Sequence, residues 1–379
     1  MKNRLFEPIE IGKITIPNRF MRSATWEGMC EEDGKPTPRL SALYSELTKG
    51  GVGLIVTGYT YIHPRGKQMI GTLGAWSDDL VPSLTEVADA VHRAGGRVFS
   101  QLMHAGAQTS QRATGNAPLG PSPVPSPFYS GIPEKMSPGQ IKSTVKDFTR
   151  AAARIKAAGF DGVQLHAAHG YLINQFLSPM TNRRDDKYGG SARNRFRFLE
   201  EVVSAVRGDV GDDFPLTVKL SGSDNLEGGI RIDDAVEAAV RLQELGIDAI
   251  EVSAGTSGSG DGVPVRKGIN SLDREGYNAD YSIRIKKKVN VPVILVGGLR
   301  SFSLIERLLA EGYADMFALS RPLIREPNLV NIWREDSSHR ATCISCNLCF
   351  RPGMREGGIY CVVERKLAEH KERKKGSQS

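Results

Sequence analysis

Two groups of side chains carry types and spacings suited to chemistry. His166 and His169 stand three apart, with Tyr171 two positions further on. Just beyond a strand end, two imidazoles at i and i+3 can point at one oxygen, and a neighbouring phenol can supply a proton. Reducing an alkene conjugated to a carbonyl requires that set: hydrogen-bond donors on the carbonyl oxygen, a hydride source at the β-carbon and an acid at the α-carbon. The plainer alternative is a zinc pair or two structural histidines, though no third ligand of the usual spacing is apparent. The second group is Cys343-Ile-Ser-Cys346-Asn-Leu-Cys349, followed by Cys361. Closely spaced thiolates can reach three corners of a [4Fe–4S] cluster while a remote one closes the fourth. A zinc knuckle with four thiolate ligands is compatible with the same spacing. Cys30, outside the run, is a lone thiol without an assigned role.

Such groups must be held by a frame, and the chain reads as one repeated unit. From about residue 50 to 320 an amphipathic helix, a closing Gly, one or two linking residues and a short apolar run recur, as in Glu244-Leu-Gly-Ile-Asp-Ala-Ile-Glu-Val252. Gly suits the left-handed position that ends a helix, and short β-rich apolar runs suit parallel strands buried on both faces. Strands are expected near Arg19–Ser23, Leu54–Gly58, Val98–Met103, Gly162–His166, Leu216–Leu220, Ala249–Ser253, Val293–Val296 and Met316–Leu319. That count favours a closed α/β barrel, (β/α)8, over an open doubly wound sheet. Ser137-Pro-Gly-Gln140 has the residues of a capping box, and the residues before Pro17 look like a hairpin for the barrel floor. Long connections run from His104 to Met136, Ala167 to Ala192 and Ala254 to Tyr277, each after a strand, where a barrel binds its ligands. Gly255-Thr-Ser-Gly-Ser-Gly260 lacks the spacing and the following helix of a dinucleotide loop.

Length and composition agree with this frame. The 379 residues suffice for a barrel (residues 1–335) and a short Cys-rich segment with a basic tail (residues 336–379). With 40% hydrophobic and 25% charged residues the chain is expected to be a soluble protein without membrane spans. Its N-terminus carries charges where a signal peptide is apolar, so a cytoplasmic location is expected. Of the net charge of +7, the tail between Lys366 and Lys375 supplies +3, and no interleaving of basic and aromatic residues points to nucleic acid.

Several separated blocks then converge on one family. His166-Ala-Ala-His169-Gly-Tyr171, Asn182-Arg-Arg-Asp-Asp-Lys-Tyr-Gly-Gly-Ser191, Asn194-Arg-Phe-Arg-Phe198, Pro17-Asn-Arg-Phe20, Trp76-Ser-Asp78, Gln101-Leu-Met-His-Ala-Gly106, Val296-Gly-Gly298 and Ser320-Arg321 occur in order. Together they resemble the Old Yellow Enzyme family of FMN-dependent oxidoreductases, over essentially the whole barrel. The resemblance implies FMN at the C-terminal face, with Gly297, Gly298, Ser320 and Arg321 at its phosphate and Gln101 at its pyrimidine edge. Lys219 falls where the family usually has an Arg near N1, keeping the charge and losing the bidentate fork. Ser23, Ala24, Thr25 and Gly58 align with isoalloxazine contacts, and Trp26 replaces a small polar residue that tunes the flavin.

The cysteine run looks like the segment that follows the barrel in trimethylamine dehydrogenase and 2,4-dienoyl-CoA reductase. The expected function is reduction of an enone, enoate or enoyl thioester, with Tyr171 as acid and His166 and His169 on the carbonyl. An amine dehydrogenase and a non-catalytic electron-transfer subunit are the competing readings. NAD(P)H or a protein electron donor is the expected reductant. The preferred expectation is a separate redox protein feeding FMN through the cluster, with direct reduction by NAD(P)H slow.

Overall fold

The structure, a computed structural model, describes residues 3–129 and 131–376. Eight parallel strands close on themselves: β1 (Phe20–Arg22), β2 (Leu54–Val56), β3 (Arg97–Met103), β4 (Gly162–Ala167), β5 (Leu216–Ser221), β6 (Ala249–Ser253), β7 (Val293–Val296) and β8 (Met316–Leu319). Closure is made by β8 pairing with β1, Phe317 opposite Phe20 and Leu319 opposite Arg22. Each expected strand is present, two of them shorter at their ends. β2 stops at Val56, beyond which the Gln101 N–H of β3 donates to the Thr57 side chain (3.3 Å) and the Gly58 N–H turns to Glu27. The chain rejoins the sheet at Thr60–Tyr61, beside the last two residues of β3.

Helices between the strands form the outer ring: α1 (Pro38–Lys49), α2 (Val81–Arg93), α3 (Pro138–Ala157), α4 (Ala192–Val210), α5 (Ile232–Glu244), α6 (Ala279–Lys286) and α7 (Phe302–Ala310). α3 begins with the expected capping box. Ser137 Oγ accepts from the Gln140 N–H at 3.2 Å, and Gln140 Oε1 accepts from the Ser137 N–H at 2.8 Å. Burial selects one face of each helix, as in α4, where Phe198, Val202, Val206 and Val210 are inside.

The N-terminal hairpin (Ile9–Ile11 with Ile14–Ile16, antiparallel) fills the floor. Ile11 and Ile16 are fully buried among Met21, Leu54, Phe99, Ala249, Ile294 and Met316 of the strands. With the floor plugged by apolar side chains, polar groups inside the barrel gather toward the other end, where the long connections emerge. The residues after 335 return to that end. Gly353 of the short helix Phe350–Arg355 packs its backbone against Gly28, and a Cβ on Gly28, at φ 66°, would fall 2.6 Å from the Gly353 carbonyl oxygen. A side chain at either position would push the segment off the barrel.

Candidate active site

At the C-terminal face a cleft of about 490 Å³ opens, within the range of small-molecule and cofactor sites. His166, His169 and Tyr171 form part of its wall together with Ser23, Ala24, Thr25, Gln101, Lys219, Gly298, Ser320 and Arg321. These eleven sequence-selected residues therefore meet in one place. Gly58 and Gly297 do not line it. Gly58 donates its N–H to Glu27 Oε1 (3.0 Å) and approaches Glu27 so closely that a Cβ would stand 2.1 Å from Oε2. Its role is to admit the buried Glu27, which also pairs with Arg22 (2.6 Å) and accepts from Tyr44 (2.5 Å). Gly297 lies beside Asn278, whose amide donates to the Val296 carbonyl at 2.7 Å.

The histidines are brought together by local backbone geometry. His169 is left-handed at φ 62° and Gly170 follows at φ 79°, so the chain reverses directly after β4. Such a conformation costs a non-glycine residue about 1–3 kcal/mol. The imidazoles end up edge to face with centroids 5.2 Å apart, and the Tyr171 ring sits 4.7 Å from that of His166. Burial pushes both imidazoles well below the usual histidine range, helped by the charge of Lys219. They are neutral at physiological pH. His166 Nδ1 accepts from the Ala168 N–H at 3.3 Å, so its single proton resides on Nε2, making that nitrogen a donor. His169 Nε2 is bonded to Ser253 Oγ at 2.8 Å. Tyr171 donates to Gln68 Oε1 at 2.9 Å and packs on Tyr59. Burial raises its phenol above the usual range, so it keeps its proton at neutral pH.

Deeper in the barrel, Gln101 Nε2 donates to Gln164 Oε1 at 2.7 Å, which fixes the amide's orientation. Lys219 pairs with Glu251 at 3.0 Å and donates to Ser23 Oγ at 2.9 Å. Thr25 and Ser320 share a hydrogen bond of 2.6 Å, tying the end of β1 to the end of β8. Trp26 turns its indole N–H to the Ile70 carbonyl (3.2 Å) and its ring against Gly353, so it is both cleft wall and anchor for the C-terminal segment. Among the described residues, the charged ones on the cleft wall are Lys219, Arg300 and Arg321, with no carboxylate beside them on that wall. That field favours an anion.

Sequence reading did not single out Gln68, Gln164, Glu251 or Arg300. Gln164 and Glu251 had a legible signal, being polar residues inside apolar strand runs. Arg300 follows the Gly297-Gly298 pair and is buried. Its guanidinium donates to the Cys343 carbonyl (3.3 Å) and to Ser345 Oγ (2.9 Å), and lies 3.8 Å from Cys343 Sγ.

The four cysteines of the run, Cys343, Cys346, Cys349 and Cys361, line a single small void of about 20 Å³ beside Arg321 and Arg325. Ser345 and Asn347 are left-handed (φ 57° and 62°), turning the chain twice so that successive cysteines face the same side. Arg321 donates to Asn347 Oδ1 at 2.6 Å and thus touches both this void and the cleft. Burial and the neighbouring thiols push the Cys349 thiol up to about 11. Among the described residues no three His, Cys, Asp or Glu side chains stand close enough to share one metal ion.

An eight-stranded barrel whose C-terminal cleft gathers Lys219, Arg300 and Arg321 with His166, His169 and Tyr171 is the arrangement expected of a flavin-dependent oxidoreductase. The chain belongs to the NADH:flavin oxidoreductase / NADH oxidase family, whose model matches residues 4–338. It is 38% identical over 347 residues to an NADH oxidase of Thermoanaerobacter brockii, covering 91% of this chain and 53% of that protein. It is 36% identical to an NADPH dehydrogenase of Bacillus subtilis (strain 168), covering 86% and 93%. The chain thus spans about half the length of the first relative and nearly all of the second. Among solved structures it resembles 2-naphthoyl-CoA reductase (30% identity, TM-score 0.86, 92% of this chain and 55% of that one). It also resembles the Old Yellow Enzyme homologue of Zymomonas mobilis (30%, TM-score 0.78, 90% and 95%). FMN and a nicotinamide nucleotide are the redox partners that go with this family. Among the described residues no helix is long and apolar enough to cross a membrane.

Proposed function

We propose that this chain reduces a carbon–carbon double bond conjugated to a carbonyl, in an enone, enoate or enoyl thioester. The observation that carries the reading is the convergence of a neutral His166, a neutral His169 and a protonated Tyr171 on one wall of a cleft whose charged groups are all cationic. FMN fits this cleft. Ser23, Ala24, Thr25, Gln101 and Lys219 would hold its ring system, and Gly298, Ser320 and Arg321 its phosphate. When bound, FMN supplies the hydride. The histidines bind and orient the substrate carbonyl, with His166 Nε2–H as one donor, and share its developing negative charge without a change in their own protonation. Tyr171 delivers its hydroxyl proton to the α-carbon, and Gln68 holds that hydroxyl in place.

The amine dehydrogenase reading finds less support. The solved structures of a histamine dehydrogenase from Rhizobium sp. 4-9 and an amine oxidase of Pseudomonas geniculata N1 share the fold, at 28% and 26% identity. A cationic amine would meet Lys219, Arg300 and Arg321 with no carboxylate facing it.

For the cysteine run, the donor chemistry suits a [4Fe–4S] cluster held by Cys343, Cys346, Cys349 and Cys361. Four thiols line one void with arginines beside it, and three closely spaced thiols with one remote are the donor pattern of such a cluster. When bound, such a cluster would supply one-electron chemistry beside the cleft, held by these four thiolates. Anaerobic purification with flavin, iron and sulfide analysis, followed by a screen of activated alkenes, tests both assignments. FAD as the dominant flavin, or stoichiometric zinc without iron, would overturn the corresponding one.

A further inference from the structure

A carboxylate that no motif singles out sits directly behind the lysine of the cleft. Glu251, in the middle of β6, is completely buried. Its Oε1 accepts from Ser23 Oγ at 2.6 Å and pairs with Lys219 Nζ at 3.0 Å, while Lys219 donates to the same Ser23 oxygen at 2.9 Å. The three groups close a triangle across β1, β5 and β6. Ser23 and Lys219 face the cleft and Glu251 does not. Two of the ammonium's three N–H groups are committed inside the triangle, which leaves one for a ligand.

Glu251 Oε2 is buried without any partner. A carboxylate present only to stabilise the fold would be expected to satisfy both oxygens, since a buried acceptor left unpaired forfeits the hydrogen bonds it made to water. Its presence therefore calls for a reason outside packing. Electrostatics supplies one: an opposite charge 3.0 Å from Nζ reduces the lysine's field in the cleft toward that of a dipole.

We propose that Glu251 is a positioning residue that fixes the Lys219 ammonium and damps its charge, so that FMN bound in the cleft has a lower reduction potential than Lys219 alone would give it. The proposal rests on the FMN assignment above. Uptake of two electrons and one proton, delivered as hydride by NAD(P)H, makes bound FMN one unit more negative. A cation beside it favours the reduced form, and a carboxylate behind that cation opposes this.

The test is Glu251→Gln in the FMN-loaded protein, because glutamine keeps the size and an acceptor for Ser23 while removing the charge. The midpoint potential is read by dye-linked reduction, and affinity for sulfite, whose flavin adduct is also anionic, gives a second readout. The variant is expected to favour reduced over oxidised FMN at least tenfold more than wild type, about 30 mV for a two-electron couple, and to bind sulfite more tightly. An unchanged or lowered potential would overturn the proposal. In Lys219→Gln/Glu251→Gln no buried charge is left unpaired, so it carries the test even where the single variant fails to hold flavin. Its potential is expected within tenfold, about 30 mV, of wild type, because a damped pair is nearly self-cancelling. A larger fall would show that the lysine acts undamped. Wild-type protein that binds no FMN would sink the flavin assignment itself, an outcome distinct from an unmoved potential.

Discussion

Replacing Tyr171 by Phe tests the proton-transfer assignment with little disturbance of the fold. The ring contacts with His166 (4.7 Å) and Tyr59 (5.6 Å) are made by atoms that phenylalanine keeps. What is lost is one hydroxyl and its bond to Gln68 Oε1, worth roughly 1 kcal/mol of stability. The catalytic loss should be much larger. A positioned general acid contributes about 10²–10⁴-fold, or roughly 3–5 kcal/mol of barrier. Because burial holds the phenol above its usual range, it is protonated throughout the neutral pH range, and the loss should not depend on pH there. The assay is anaerobic stopped flow in two halves: reduction of the flavin by NADPH, then its reoxidation by 2-cyclohexenone. The second half should slow by about 10²-fold or more and the first by less than about twofold, since hydride delivery to the flavin does not use the hydroxyl. Equal loss in both halves would make the tyrosine structural, and no loss in either would assign the proton to another group.

His166→Ala and His169→Ala should raise KM for the enone as well as lower kcat, because both imidazoles bind the carbonyl before and during reaction; a change in kcat alone, measured by steady-state kinetics, would contradict that. Stability should fall with acid below about pH 6.5. His166 and His169 lie well below the usual range and His104 is lowered to about 3, all chiefly through burial, so the unfolded chain binds protons that the folded chain does not. Each costs at most about 1.4 kcal/mol of stability per pH unit, a loss that begins near 6.5, accumulates as pH falls and levels off below each folded value; urea unfolding at pH 7, 6 and 5 measures it, and a flat profile would refute the neutral assignment. Cys346→Ser should abolish cluster iron and electron uptake from a protein donor. Fast FMN reduction by NADH or NADPH that survives this change, with flavin bound, would exclude the cluster as an obligatory relay.

The frame was legible because it rests on local chemistry repeated many times. Gly closes helices, apolar runs form buried strands, and Ser137 with Gln140 caps α3; each is decided by a few adjacent residues. The histidine and tyrosine wall was also legible, since β4 and the turn at His169-Gly170 carry all three residues within six positions. Contacts between distant segments were not. Nothing near Gly58 in sequence announces that Glu27 needs its space, and Trp26 gives no sign that Gly353 will lie against its ring. Glu251 and Gln164 showed only as polar residues in apolar strands, and their partners Lys219 and Gln101 are supplied by neighbouring strands of the closed sheet.

The same long-range contacts decide how the cysteine segment relates to the barrel. In sequence a boundary at 335/336 divides two compositions, and the family match ends at residue 338. In space the segment completes the cleft, with Phe350, next in the chain to Cys349, and Met354 both on its wall. Arg300 reaches from the end of β7 to Cys343 and Ser345, and Arg321 from the end of β8 to Asn347. Both arginines also face the cleft. Two cations placed between the cleft and four thiols are sensitive to charge on either side. A thiolate or cluster charge formed in the void lessens their pull on an anion in the cleft, and an anion bound there lessens their support for thiolates. If FMN and a cluster bind as proposed, their loading is expected to be opposed electrostatically, while the contact of Arg321 with Asn347 ties the two sites together.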